Sequence, residues 1–248
     1  MAISEIFPNP TVKQVIFQIR YPNLFYIENK IGEFQQKIMS KFPESALLFR
    51  RQILITDSGS QVKEQPQSEL GRKIWQFKSP LKYELNVLSD SFDISSMFHK
   101  TYNNPDAEYK FRDIIEFVLN NFLEIVGMPI INRVGLRYID ECPIPEKTNT
   151  KFKEYYNSTF PLERFNIDQA HKMEFSTEIS RGAYNLRFVE SLQEIDGKHK
   201  LILDFDGFAQ NISTDKCMET TDLLHKCIID EYERSIKGPV YSYMRKKE

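Results

Sequence analysis

The sequence predicts an α+β fold in which one antiparallel sheet is backed by two long helices. Three observations carry this. Short segments that alternate apolar and polar residues recur between turn signals, the pattern of strands with one buried face. Other stretches place apolar residues at spacings of three and four, the stripe of a helix packed on one side. The 248 residues are 41% hydrophobic, with 19 Phe and 12 Tyr against 9 Gly, which describes a full aromatic core and argues against a glycine-rich nucleotide-binding fold.

In chain order, Val15 to Arg20 reads as a strand, with Val15, Phe17 and Ile19 on one face and Gln18 and Arg20 on the other, stopped by Tyr21-Pro22. Asn23 is the expected N-cap of a helix whose stripe is Leu24, Ile27, Ile31, Phe34 and Ile38, closing before Pro43. Strands follow at Leu47–Ile55, Lys73–Lys78, Leu81–Leu88 and Phe92–Phe98, with turns at Ser79-Pro80 and Ser89-Asp90. The polar stretch Asp57–Gly71 reads as a mobile loop. Phe111, Ile114, Ile115, Val118, Phe122 and Ile125 mark a second long helix, ended by Gly127 and Pro129.

The second half reads in the same order. It has a strand at Arg133–Ile139, a short helical stretch near Phe152–Thr159, strands at Met173–Ile179, Tyr184–Ile195 and Lys198–Phe208, and a helix over Met218–Lys237. Asp196-Gly197 is a strong hairpin turn. The expectation is one α+β domain over residues 1–248, built as two pseudo-repeats, 10–128 and 129–248. Its sheet would form a TBP-like saddle or tunnel; the alternative is a helix-grip sheet around a ligand cavity. Beyond Gly238-Pro239 an aromatic tail with Val240, Tyr241 and Tyr243 either docks a partner or packs back on the body.

Charge and cysteine content limit the function classes. A net charge of −2 from 33 basic and 35 acidic residues gives no global electrostatic case for nucleic acid or membrane, so any basic site is local. Cys142, Cys217 and Cys227 form no CxxC pair and read as reduced thiols of a cytoplasmic protein. Met1–Pro10 lacks the basic and apolar regions of a signal peptide, and no window approaches the roughly 18 apolar residues needed to span a bilayer.

The strongest chemical feature is Arg133-Val134-Gly135-Leu136-Arg137-Tyr138-Ile139-Asp140. In an extended chain Arg133, Gly135 and Arg137 share one face, with the arginine Cα atoms roughly 13 Å apart. Arg20 and Arg187 lie on strands of similar alternation, so one sheet face can present four arginines for a phosphate, a carboxylate or an acidic partner. The competing reading is a ladder neutralised by acids on neighbouring strands. Asp204 and Asp206 share a face about 7 Å apart, and Glu174 and Glu178 share another. Those acids either pair with the arginines or, as Glu174, Asp204 and Asp206, hold Mg²⁺ or Mn²⁺ for a phosphate.

His99, His171, His199 and His225 show no paired-ligand spacing and read as structural, and no HExxH, GxSxG, Walker A or GxGxxG pattern occurs.

Four blocks, Pro8-Asn9-Pro10 with Val15–Pro22, Arg133–Asp140, Leu203-Asp204-Phe205-Asp206-Gly207-Phe208, and Leu224-His225 followed by Tyr232-Glu233, together resemble the signature blocks of a sporadically distributed prokaryotic protein family with no established activity. Gln18, Asp140 and Tyr232 depart from its usual acidic residue, Asn and Phe. The resemblance implies a bacterial or archaeal cytosolic protein from a mobile-element or host-defence neighbourhood, and it supplies no catalytic residue.

The leading expectation is therefore a non-enzymatic binding or adaptor protein without a cofactor. It would recognise a protein partner, a second copy or a small anionic ligand through the face bearing Arg20, Arg133, Arg137 and Arg187. The alternatives are a metal-dependent phosphate- or nucleotide-handling enzyme using Glu174, Asp204 and Asp206, and nucleic-acid binding.

Overall fold

The computed structural model describes residues 5–50, 72–195 and 197–247. Nine strands form one sheet in which every neighbouring pair is antiparallel, in the order β2-β3-β4-β5-β1-β6-β9-β8-β7. The first half supplies β1 (Val12–Arg20), α1 (Ile27–Ile38), β2 (Glu44–Arg50), β3 (Arg72–Lys78), β4 (Glu84–Val87), β5 (Ser91–Ser96) and α2 (Phe111–Val126). The second supplies β6 (Ile130–Pro143), α3 (Asn149–Tyr155), β7 (Met173–Arg181), β8 (Tyr184–Ile195), β9 (Lys198–Ser213), α4 (Cys217–Ser235) and α5 (Gly238–Met244). Read outward from the central pair β1–β6, both sides list their strands in reverse chain order after the first.

One face of the sheet is apolar and carries the helices. Val15, Phe17 and Ile19 of β1, Phe92 and Ile94 of β5, Val134 and Leu136 of β6 and Leu203 and Phe205 of β9 are all at most 1% exposed. Phe122 of α2 fixes one side of this core: its ring centroid lies 5.0 Å from Phe92 and 5.4 Å from Phe34 of α1, both edge-on, geometry that aromatic rings favour over face-to-face stacking. On the other side Phe205 meets Tyr232 of α4 edge-on at 6.3 Å. Leu224 and Ile228 lie so near Gly207 that an added Cβ would stand 3.3 Å from Ile228, so this glycine sets how closely α4 approaches β9. Most of the buried apolar residues form one cluster drawn from both halves. No helix among the described residues is long and apolar enough to cross a membrane.

Several boundaries differ from expectation for local reasons. α1 starts at Ile27 because the backbone N–H of Leu24 donates to Ser89 O (2.7 Å), tying Asn23–Phe25 to the β4–β5 turn. β4 begins at Glu84, since Lys82 adopts φ 62° in a turn closed by Lys82 N–H to Ser79 O (2.8 Å). β2 spans Glu44–Arg50; the rest of the strand expected to Ile55, the loop expected over Asp57–Gly71 and Asp196 of the hairpin lie outside the described residues. α2 ends as expected, at Gly127 with φ 66° and its N–H on Leu123 O. The short helix runs Asn149–Tyr155, capped by Thr148, and Tyr156 then bridges to Ile236. The aromatic tail folds as α5, with Pro239 in its first turn and Val240 and Met244 buried, so it packs back on the body.

Candidate functional site

The four arginines singled out in the sequence lie on the sheet face opposite the helices. Register places Arg20 beside Arg133, and sets Arg137, Asp206, Arg187 and Glu178 in one row across β6, β9, β8 and β7. Charge alternates along that row.

Two of the arginines are committed to acids of the same chain. Arg137 grips Asp204 with two bonds, Nε to Oδ1 at 2.7 Å and Nη2 to Oδ2 at 2.5 Å. Those bonds hold its guanidinium above its ordinary pKa against the opposing effect of burial. Arg133 donates from Nη2 to both oxygens of Asp206, at 2.8 and 2.9 Å, and its guanidinium lies 4.6 Å from the centroid of Phe208. To reach Asp206 it runs along its own strand across Gly135. A Cβ at Gly135 would stand 2.2 Å from Arg133 Nη1, so the missing side chain is the groove in which the guanidinium lies.

The ladder reading therefore describes Arg133 and Arg137. Arg20 and Arg187 are exposed and form no ion pair among the described residues; Arg20 Nε donates to Gln18 Oε1 at 2.9 Å. Glu174 shares the open face with Asp204 and Asp206 but approaches Lys172 Nζ at 3.0 Å. No group of three or more metal-ligating side chains is assembled among the described residues. The polar character of the face continues outward, Gln76 donating to Asn86 (3.1 Å) and Asn86 to Asp93 (3.0 Å).

A second site lies on the helix side, where the helix-grip alternative put a ligand cavity without naming the residues that line it. A cavity of about 370 Å³ opens between α4, the start of β1, the inward side of β6 and the segment after β5. Along one wall Asp222 is clamped by Arg112 (2.9 and 3.0 Å) and accepts from Tyr102 Oη (2.7 Å). The Tyr102 ring stacks on His225, centroids 4.0 Å apart and planes 19° apart. His225 Nδ1 lies 3.2 Å from Tyr138 Oη, and the Tyr138 ring meets His99 edge-on at 5.5 Å. His99 is 7% exposed, and its Nδ1 is buried without a hydrogen-bond partner among the described residues. Across the cavity, Thr11 Oγ1 donates to Asp140 Oδ1 (2.8 Å) and lies 2.6 Å from Tyr232 Oη.

Burial sets the charge of these groups. It pushes His99 down to about 3, with the neighbouring His225 acting in the same direction. It takes His225 down to about 4, partly opposed by Asp222. It lifts Asp140 to about 7, opposed by the Thr11 hydrogen bond and reinforced by Asp204. Both imidazoles are therefore neutral at pH 7, and the Asp140 carboxyl is poised between its two forms.

One signal for this site was readable: Asp140 falls in phase with Val134, Leu136 and Tyr138, which puts an acid on the buried side of β6. Pro10, Tyr138, Asp140, His225 and Tyr232, all from the sequence blocks singled out above, line the same cavity. Comparison with protein-family models, with curated proteins and with solved structures finds no match to this chain.

Proposed function

We propose that the chain is a binding protein rather than a catalyst, and that it receives a protein partner on the open sheet face. The observation that carries this reading is the internal pairing of Arg133 with Asp206 and Arg137 with Asp204. A pocket for a free phosphate would hold its arginines uncompensated. Here Arg133 and Arg137, on the central strand β6, are neutralised in place, leaving a surface of mixed charge whose complement is another protein surface. Arg20, and Arg187 and Glu178 at the end of the charged row, are exposed and open to a partner. The three cysteines are all free and buried, in keeping with a cytoplasmic protein, and the sequence blocks support a prokaryotic host-defence or mobile-element setting.

The reading is tested with a photo-crosslinking residue at Ile139, between Arg137 and Glu141 on the open face, and a control at Leu223 on α4. One protein is expected to cross-link in the source cell from Ile139 and not from Leu223. That protein, purified, is expected to bind Arg187→Glu about tenfold more weakly, the effect of reversing one exposed charge that faces a partner. If cross-links favour Leu223, or Arg187→Glu binds equally well, the reading fails. Cross-linking to a second copy would identify a homo-oligomer instead. The metal-dependent phosphate enzyme has its support in the shared face of Glu174, Asp204 and Asp206, and requires both aspartates to exchange an arginine for Mg²⁺ or Mn²⁺.

A further inference from the structure

We propose that the cavity beneath α4 binds an uncharged small organic molecule with a planar, partly apolar body and one hydrogen-bonding group addressed to His99. This site is separate from the open face, and its failure would leave the partner reading untouched.

The argument begins with the orphaned nitrogen. A buried polar atom without a partner loses its hydrogen bond to water and gains none in return, so native structures rarely keep one unless something else satisfies it. His99 Nδ1 is such an atom, on a residue that lines a cavity of about 370 Å³. That volume lies within the range of small-molecule pockets, which are mostly apolar and carry a few convergent polar groups. Its walls answer the same description: Phe7, Tyr102, Tyr138, Ile228, Tyr232 and Met244 supply apolar and aromatic surface. Binding requires the imidazole to turn about its Cβ–Cγ bond, bringing Nδ1 from its buried position to the occupant, where a neutral imidazole can donate or accept.

Charge selects the class of ligand. Arg112 and Tyr102 already compensate Asp222, and Arg245 compensates Glu5 at the rim. Asp140 accepts from Thr11, and the neighbouring Tyr232 hydroxyl completes that hydrogen-bonded group. Lys100, Lys226 and Asp230 stand at the mouth, toward solvent. Among the described residues no interior cation awaits an anion. An ammonium would find only Asp140, whose carboxyl burial already inclines toward its neutral form. An uncharged ring gains the stacked Tyr102–His225 wall and the unsatisfied nitrogen of His99 without the cost of desolvating a charge.

The test uses protein with isotope-labelled histidine and four probes of one shape: benzamide and phenol, which are uncharged, against benzoate and benzylamine, which are not. Benzamide or phenol is expected to move the His99 and His225 imidazole resonances saturably while His171 and His199, outside the cavity, stay put. Benzoate and benzylamine are expected to bind at least tenfold more weakly. His99→Phe, which keeps a ring against Phe111 and Tyr138, is expected to weaken the better uncharged probe about tenfold while His225 still responds. Equal or tighter binding of a charged probe overturns the proposal, as does an unmoved His99 with all four. Should His99→Phe not fold, the charge series on the native chain decides alone.

Discussion

Gly135→Ala probes the arginine ladder through a residue that makes no hydrogen bond with its side chain. The added Cβ would stand 2.2 Å from Nη1 and 2.9 Å from Cζ of Arg133, so the guanidinium must lift from the strand. Lifting breaks its bonds to Asp206 and separates it from the Phe208 ring. With Arg133 and Asp206 side chains only 16% and 24% exposed, the charged hydrogen bonds contribute about 1.5–3 kcal/mol and the ring interaction about 0.5–1 kcal/mol. Replacing a strand glycine by alanine returns about 0.5–1 kcal/mol of chain entropy. The net expectation is a loss of about 1–3 kcal/mol. In an Arg133→Met background the same substitution has nothing to displace and is expected to be neutral or to stabilise by about 0.5 kcal/mol. Urea unfolding of the four proteins, with slopes compared alongside midpoints, measures the coupling directly. Equal destabilisation in both backgrounds would refute the argument, because the cost would then belong to the strand and not to the arginine.

Three further outcomes follow from the core and the cavity. His99 folds with its pKa depressed from 6.5 to about 3, so the unfolded chain takes up the proton first and this residue's contribution to stability is lost as pH falls from about 6.5 towards 3. By pH 5 the loss is about 2 kcal/mol, and His99→Phe is expected to flatten the acid limb by that amount in urea titrations at pH 8 and 5. Asp140 works in the opposite direction: its pKa is raised to about 7, so stability falls as pH rises from about 3.8 through 7. Asp140→Asn should gain roughly 2–4 kcal/mol at pH 8, a gain that shrinks to less than half by pH 5 and is gone only below about pH 3.8; a constant offset between pH 8 and pH 5 would contradict the buried-carboxyl account. Phe122→Ala, opening a void among Phe34, Phe92 and Tyr21, is expected to cost about 3–5 kcal/mol by thermal or urea unfolding.

What the sequence made legible was whatever depends on phase. Alternation along β6 placed Arg133, Gly135 and Arg137 on one face and Val134, Leu136 and Tyr138 on the other, and the register bears that out. Phase did not choose between ladder and anion site, because that depends on which strand lies beside β6. The neighbour proves to be β9, bringing Asp204 and Asp206 alongside. The lining of the cavity was illegible for the same reason: His99, Tyr102, Tyr138 and His225 come from the segment after β5, from β6 and from α4, with no local spacing to connect them. Leu81 continued an apolar alternation that a positive φ at Lys82 interrupts. Gly238-Pro239 read as a break, whereas proline in a first turn loses no hydrogen bond and starts α5.

The pairing of β1 with β6 has a consequence in time. Phe17 and Leu136 stand opposite each other at the middle of the sheet, and nearly the whole first half of the chain lies between them. Closing so long a loop costs entropy before any contact offsets it, and sheets dominated by such distant pairings fold in milliseconds to seconds rather than microseconds. During synthesis β5 is made before β6, so β1 has a partner on one side while its other side has none until β6 follows. For that interval the strand destined for the centre of the sheet is an open edge, and a ribosome-bound first half is the stage at which this protein is most exposed to pairing with the wrong chain.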